Sequence, residues 1–179
     1  MTAVDETQTP STPSTPPTTS GQTDPVPEAG FAELTEMPGH LLRRCHQIAV
    51  SIFIQECKAF ALTPLQFIAL SALDHHGEMD QNRLGGLTAL DRTTIGTVIT
   101  RLEARRLLTR RRSTTDRRFN AISCTAAGRD LLHRVGPAVE IAQARVLAPL
   151  APQARARFLG DLKRIADGNN LQSRAPQRD

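Results

Sequence analysis

Asp91-Arg92-Thr93-Thr94-Ile95-Gly96-Thr97-Val98-Ile99-Thr100-Arg101-Leu102-Glu103 reads as a short helix with two unlike faces. Asp91 is a natural N-cap, because a short carboxylate can accept hydrogen bonds from the free N–H groups of the first turn. Ile95, Val98, Ile99 and Leu102 recur at steps of three and four and form an apolar stripe. Thr93, Thr94, Thr97, Thr100 and Arg101 line the other side. Just upstream, Asp80-Gln81-Asn82-Arg83-Leu84 begins another short helix that ends near Ala89. Two short helices joined by a tight turn, the second with a front of hydroxyls and Arg, have the helix-turn-helix layout.

Downstream, residues 107–124 break the helical period. Residues 108–112 (LTRRR) and 119–123 (FNAIS) read as two strands joined by the polar stretch 113–118 (STTDRR). This is a hairpin, or wing, with a cationic tip. Eight Arg fall within 101–118, opposed only by Glu103 and Asp116. Residues 1–36 carry six acids and no Lys or Arg, which leaves the remainder with 22 basic and 12 acidic side chains, a net of +10. Charge concentrated on so short a segment is an electrostatic footprint for a polyanion. A merely solvated face would mix signs and favour Lys.

Farther out, residues 1–27 are Thr, Pro and Ser with scattered acids. Such a tail offers too little apolar surface to offset the entropy of ordering, so disorder is expected there. From Pro38 to Phe60, Leu41, Leu42, Cys45, Ile48, Ala49, Ile52 and Phe53 form a wide apolar stripe on a long helix. Thr63, Pro64 and Gln66 make a capping box with Pro at the first helical position. The helix they start runs to about Asp74 and is expected to bury Leu65, Phe67, Ile68, Leu70 and Leu73. Thr125 caps a helix reaching about Leu147, another follows Pro152 up to Gly168, and residues 169–179 should fray. The expected architecture is mainly α with a small β-hairpin wing. A winged helix-turn-helix lobe, about 62–124, joins a helical dimerisation lobe, 37–60 and 125–168, in one domain spanning 37–168. The long helices expose more apolar surface than one small lobe can cover, so a two-fold symmetric homodimer is expected.

Composition narrows the function. With 39% apolar residues, no Trp or Tyr and six Phe, the core is aliphatic and helix-like. No apolar run approaches the ~20 residues of a membrane span, and the start lacks the pattern of a signal peptide. A cytoplasmic protein with no membrane partner is the expectation. No phosphate loop, nucleophile elbow or HExxH motif marks an enzyme. His75 and His76 are adjacent and cannot act as ligands from one helix face, so no metal or other cofactor is expected. Cys45, Cys57 and Cys124 form neither a CxxC pair nor a Cys/His cluster. They read as small buried residues, with redox sensing through Cys45 or Cys57 as the alternative. An effector-independent architectural DNA-binding protein is the other rival.

The order of elements resembles the MarR family of bacterial regulators. Residues 62–67 (LTPLQF) look like the family's opening of its second helix, and 91–103 like its recognition helix. Arg110-Arg111, Asp116-Arg117-Arg118 and Thr125-x-x-Gly128-Arg129 are similar to its wing and the helix after it. The likeness covers residues 38–167. It implies that Thr93, Thr94 and Thr97 meet base edges or phosphates in a major groove of double-stranded DNA, with Arg92 and Arg101 mostly on phosphates. Arg112, Arg117 and Arg118 would serve the wing in a minor groove. By resemblance Asp116 braces the wing by pairing with an Arg. Arg105 and Arg106 themselves read as a solvated helix end near phosphate. Where the family usually has Gly before the first wing strand, this chain has Arg106: either a left-handed residue is tolerated there at about 1 kcal/mol, or the helix exits differently and changes the wing angle. The start of the first helix, PGHLLRRCHQIA, looks most like repressors of nicotinate and hydroxybenzoate degradation. His40, Arg44 and Gln47 fall on one helix face, and with Arg43 they are the candidates for an aromatic carboxylate effector. Interface or surface salt bridges are the alternative role for Arg43 and Arg44.

Overall fold

Four helix starts are local devices that the sequence carries in full, set by Thr63, Asp80, Asp91 and Thr125. The computed structural model of the chain describes residues 33–112 and 120–178. A compact unit begins at Pro38 with helix α1, Pro38–Glu56, which gives way to a 3-10 turn at Lys58–Phe60. The first helix thus ends at Glu56 rather than at the expected Phe60. Ala61 in a left-handed conformation (φ 48°) closes the turn. Helix α2, Pro64–His76, opens on the expected capping box: Gln66 N donates to Thr63 Oγ1 at 3.3 Å, and Thr63 N donates to Gln66 Oε1 at 3.1 Å. Gly77, at φ 78°, ends it two residues later than expected.

Helices α3, Gln81–Thr88, and α4, Arg92–Ala104, are the helix-turn-helix pair. Strands β1, Leu108–Arg112, and β2, Asn120–Cys124, pair antiparallel with Leu108 opposite Cys124 and Arg110 opposite Ile122. The second strand extends to Cys124, one residue beyond its expected end. Met79 adds a short bridge at the far edge: its N–H donates to the Ile122 carbonyl at 3.1 Å, and Ile122 N donates back at 2.8 Å. Helix α5, Ala126–Val146, is capped by Thr125, whose Oγ1 accepts from Gly128 N at 3.1 Å. Helix α6 spans Pro152–Gly168.

The core lies where α2, α3, α4 and the hairpin meet, around Leu70, Leu73, Leu84, Ile95, Ile99, Leu102, Leu108 and Ile122. Phe53 and Phe67, with ring centroids 5.8 Å apart, fasten α1 to α2. Val135 and Val139 on α5 complete it. Two residues of the expected α2 face depart from this pattern, since Leu65 and Ile68 are 39% and 45% exposed while Gln66 and Ala69 are buried. Gln66, buried, keeps its amide oxygen on the Thr63 N–H, and Leu65 looks outward beside α4.

Close approach explains Gly128. A Cβ there would come within 2.2 Å of the Leu107 carbonyl oxygen and 2.7 Å of Cys124 Sγ, so only glycine lets α5 start against β1. The end of the described chain also differs from expectation. Instead of fraying from 169, the chain makes a 3-10 turn at Asn170–Gln172, and Arg178 N donates to the Gly86 carbonyl at 3.0 Å. The tail 1–27 lies outside the described residues. Among the described residues no helix is long and apolar enough to cross a membrane.

Candidate nucleic-acid interface

Two carboxylates set the two helix starts. Asp80 Oδ1 accepts from Asn82 N at 2.7 Å and Arg83 N at 3.0 Å, and so starts α3. Asp91 Oδ1 accepts from Thr93 N at 3.0 Å and Thr94 N at 2.9 Å, while its Oδ2 accepts the Thr94 hydroxyl at 2.7 Å. These bonds, the Thr94 amide first and its hydroxyl second, hold the Asp91 carboxyl below its ordinary range. Between the helices Ala89 adopts a left-handed conformation (φ 52°), and Leu90 N donates to Gly85 O at 3.0 Å. Gly85 admits that turn, since a Cβ would stand 3.0 Å from the Leu90 carbonyl oxygen. Gln81 Nε2 then crosses to the Arg92 carbonyl at 3.2 Å and locks the start of α3 to the start of α4.

The outer face of α4 is as the sequence arranged it. Arg92, Thr93, Thr97, Thr100 and Arg101 are exposed. Thr97 and Thr100 donate their hydroxyls back to the carbonyls of Thr93 and Gly96, at 3.1 and 3.0 Å. The Thr97 oxygen can still accept a hydrogen bond from an outside donor, while the Thr100 oxygen already accepts one from Arg110. Thr94 differs: it is half-buried and its hydroxyl is spent on Asp91. In the free chain it serves the cap, and the reading front consists of Thr93, Thr97 and Thr100.

Register decides which wing arginines face outward. Arg110 turns toward α4, where its Nη2 donates to Thr100 Oγ1 at 3.0 Å and its Nε sits 3.0 Å from Glu103 Oε2 in an ion pair. That Nε–carboxylate contact is not aligned as a hydrogen bond. Arg111, one residue on, is exposed. Only the backbone of Arg112 is described, and Asp116, Arg117 and Arg118 lie outside the described residues. The bracing ion pair that is described is thus Glu103–Arg110, which spacing alone did not single out.

Arg105 and Arg106 are exposed at the end of α4, as expected, and Arg105 has a specific bonding task besides. The Arg105 guanidinium donates to the carbonyls of Ala61 (2.7 Å) and Phe60 (3.0 Å), tying the end of α4 to the turn before α2. Pairs 44 and 45 residues apart leave no local signal in a sequence. Arg106 takes a left-handed conformation, φ 57°, so of the two exits the strained one is adopted. Its carbonyl accepts the Thr125 hydroxyl at 2.8 Å.

The proposed effector residues occupy the first turns of α1. His40 is half-buried, and Arg43, Arg44 and Gln47 are exposed. The hydrogen bond seen there runs from Arg43 Nη1 to Gln47 Oε1 at 2.8 Å, so Gln47 is engaged by Arg43. Leu41, Leu42 and Ile48 are exposed on the same segment. Of the cysteines, Cys45 is exposed while Cys57 and Cys124 are buried. Burial first, and the Glu56 carboxylate second, push the Cys57 thiol up, which works against thiolate chemistry.

The profile of the MarR family matches residues 62–118, the helix-turn-helix and hairpin. The chain is 33% identical over 137 residues to the HTH-type transcriptional repressor NicR of Pseudomonas putida, covering 76% of this chain and 87% of that one. BpsR of Bordetella bronchiseptica, whose DNA binding is regulated by 6-hydroxynicotinic acid, superposes with a TM-score of 0.70 at 34% identity, over 74% of this chain and 95% of BpsR. The repressor CouR, in its complex with a 23-mer DNA duplex, superposes with a TM-score of 0.70 at 29% identity, over 76% and 96% of the two chains.

Proposed function

The chain belongs to the MarR family of transcriptional regulators, and from that premise we propose a ligand-responsive repressor that holds a pseudo-palindromic operator as a homodimer. A small aromatic acid of the hydroxynicotinate or hydroxybenzoate type releases it. The observation that carries the DNA half is the exposed Arg92–Thr93–Thr97–Thr100–Arg101 front of α4, set beside a hairpin braced through Glu103 and Arg110. Short Thr side chains let a helix backbone approach base edges, where methyl groups meet thymine methyls and hydroxyl oxygens accept from adenine or cytosine amino groups. The flanking guanidinium groups suit phosphates, which position the protein without reading sequence. The effector half is supported by the regulation of BpsR by 6-hydroxynicotinic acid and by the cationic, partly apolar start of α1.

Reading and anchoring should fail differently on DNA. An operator is first selected from a random duplex pool with the wild-type protein. Thr97→Ala should then cost affinity for that operator and little for random duplex, at about 1–3 kcal/mol for each base the side chain no longer reads. Arg118→Ala should weaken both and lower the salt slope by about 0.9 for each phosphate left without its guanidinium. Equal losses on both duplexes for both variants would contradict this division of labour, and a wild type that selects no preferred sequence would contradict the operator.

A further inference from the structure

The segment 170–178, which the sequence offered as a frayed end, is pinned at two places. Asn170 and Gln177 clasp each other: Asn170 Nδ2 donates to the Gln177 carbonyl at 2.9 Å, and Gln177 N donates to Asn170 Oδ1 at 2.8 Å. One residue on, Arg178 N donates to the Gly86 carbonyl of α3 at 3.0 Å, with the Gln177 side chain reaching the Leu87 carbonyl at 3.4 Å. Gly86 accommodates the approach, since a Cβ there would press on Arg178 Cβ at 3.3 Å. The segment thereby forms a short arm laid across the helix-turn-helix. It encloses a groove with Gln81, Asn82, Asp91 and Arg92, the opening residues of α3 and α4 and the cap between them.

Arg174 stands on the outer rim of this groove. It is exposed, takes part in no ion pair among the described residues, and lies close enough for its charge to be felt by Asp91. Among the described residues the Arg174 guanidinium donates no hydrogen bond, to Asp91 or to any other acceptor, so its donors remain for another anion. Arg92, the first residue of α4, lines the same groove. In a docked helix-turn-helix the second helix enters the major groove by its N-terminal end while the first crosses the sugar–phosphate backbone. Phosphates that flank the groove must therefore pass the openings of α3 and α4.

Resting on the DNA-binding reading above, we infer that the arm is a second anchoring element of the interface, with Arg174 contacting a backbone phosphate beside the one held by Arg92. The clasp and the Gly86 bond hold the arm in place before DNA arrives, so its guanidinium is positioned with little further loss of freedom. A phosphate contact of this kind adds affinity on every sequence and reads none.

The test uses the full-length chain and a random-sequence duplex, with the affinity followed across a salt series. Each phosphate neutralised contributes about 0.9 to the slope of log K against log salt, so a dimer using Arg174 twice should lose about two units in Arg174→Ala. Arg174→Lys should restore the slope. Asn170→Ala keeps the charge but opens the clasp, and should weaken binding part of the way. An unchanged slope in Arg174→Ala overturns the anchoring role, as does tighter binding, which would make the arm an obstruction. Arg118→Ala run in parallel separates the two readings. A slope lowered by Arg118→Ala and untouched by Arg174→Ala leaves the DNA-binding reading intact and removes the arm, whereas a wild type without a steep salt dependence removes both.

Discussion

Arg106 holds φ 57° between the recognition helix and the first wing strand, a region that costs an L-residue about 1–2 kcal/mol. Glycine would escape that cost while giving up about 0.5–1 kcal/mol of backbone entropy. Arg106→Gly should therefore raise the unfolding free energy by about 0.5–1 kcal/mol in urea titration, and a loss of stability would show that the Arg106 side chain has a partner worth more than the strain. The position was legible because the family pattern places a glycine there and this chain does not. Gly128 was legible as a motif letter, but its reason, a carbonyl 2.2 Å from where a Cβ would sit, exists only once α5 meets β1. Arg105 shows the opposite limit. Its charge, counted with its neighbours, suggested a solvated end, while its two hydrogen bonds go to carbonyls far away in the chain.

The helix starts were readable as elements because caps are local. Thr63, Asp80, Asp91 and Thr125 each sit within three residues of the N–H groups they satisfy. Endings were less readable: α1 stops at Glu56 rather than Phe60, and β2 runs on to Cys124, because tertiary packing and pairing choose those limits. The Met79 bridge and the arm at 170–178 depend on contacts across the fold and left no periodic signal. The Asp91 cap carries a pH prediction. Its carboxyl is held below the ordinary value of about 3.9 by bonds that exist only in the folded helix. The stabilisation it gives is thus present above that ordinary value and lost as pH falls through the depressed folded one. Asp91→Asn can still cap but cannot titrate there. Between about pH 5 and the acid transition, wild type should lose stability more steeply than this variant, and parallel curves would mean the carboxylate contributes nothing through its charge.

At the scale of the molecule, the exposed apolar surface points beyond one chain. Helix α6 has no buried residue, yet Phe158, Leu159, Leu162 and Ile165 are between 36% and 52% exposed, and Leu41, Leu42 and Ile48 of α1 are also bare. A helix with such a stripe needs a partner surface, and an isologous pair would set two reading heads about 34 Å apart on DNA. Leu162→Glu should shift sedimentation at micromolar concentration from dimer to monomer and abolish operator binding; a wild-type monomer would contradict the pairing. The effector claim reaches furthest. An aromatic acid can release DNA only if it binds the DNA-free form more tightly, and a ten-fold release needs about 1.4 kcal/mol of such coupling. The direct measurement is fluorescence anisotropy of the selected operator complex, titrated with 6-hydroxynicotinate and with hydroxybenzoate isomers, for wild type and Arg44→Gln side by side. The account predicts that at least one of these acids lowers wild-type affinity for the operator ten-fold or more, and that Arg44→Gln demands more acid while binding DNA normally. Release of wild type and variant at the same concentration would contradict the assignment to Arg44, and no release by any of the acids would contradict the aromatic-acid repressor itself.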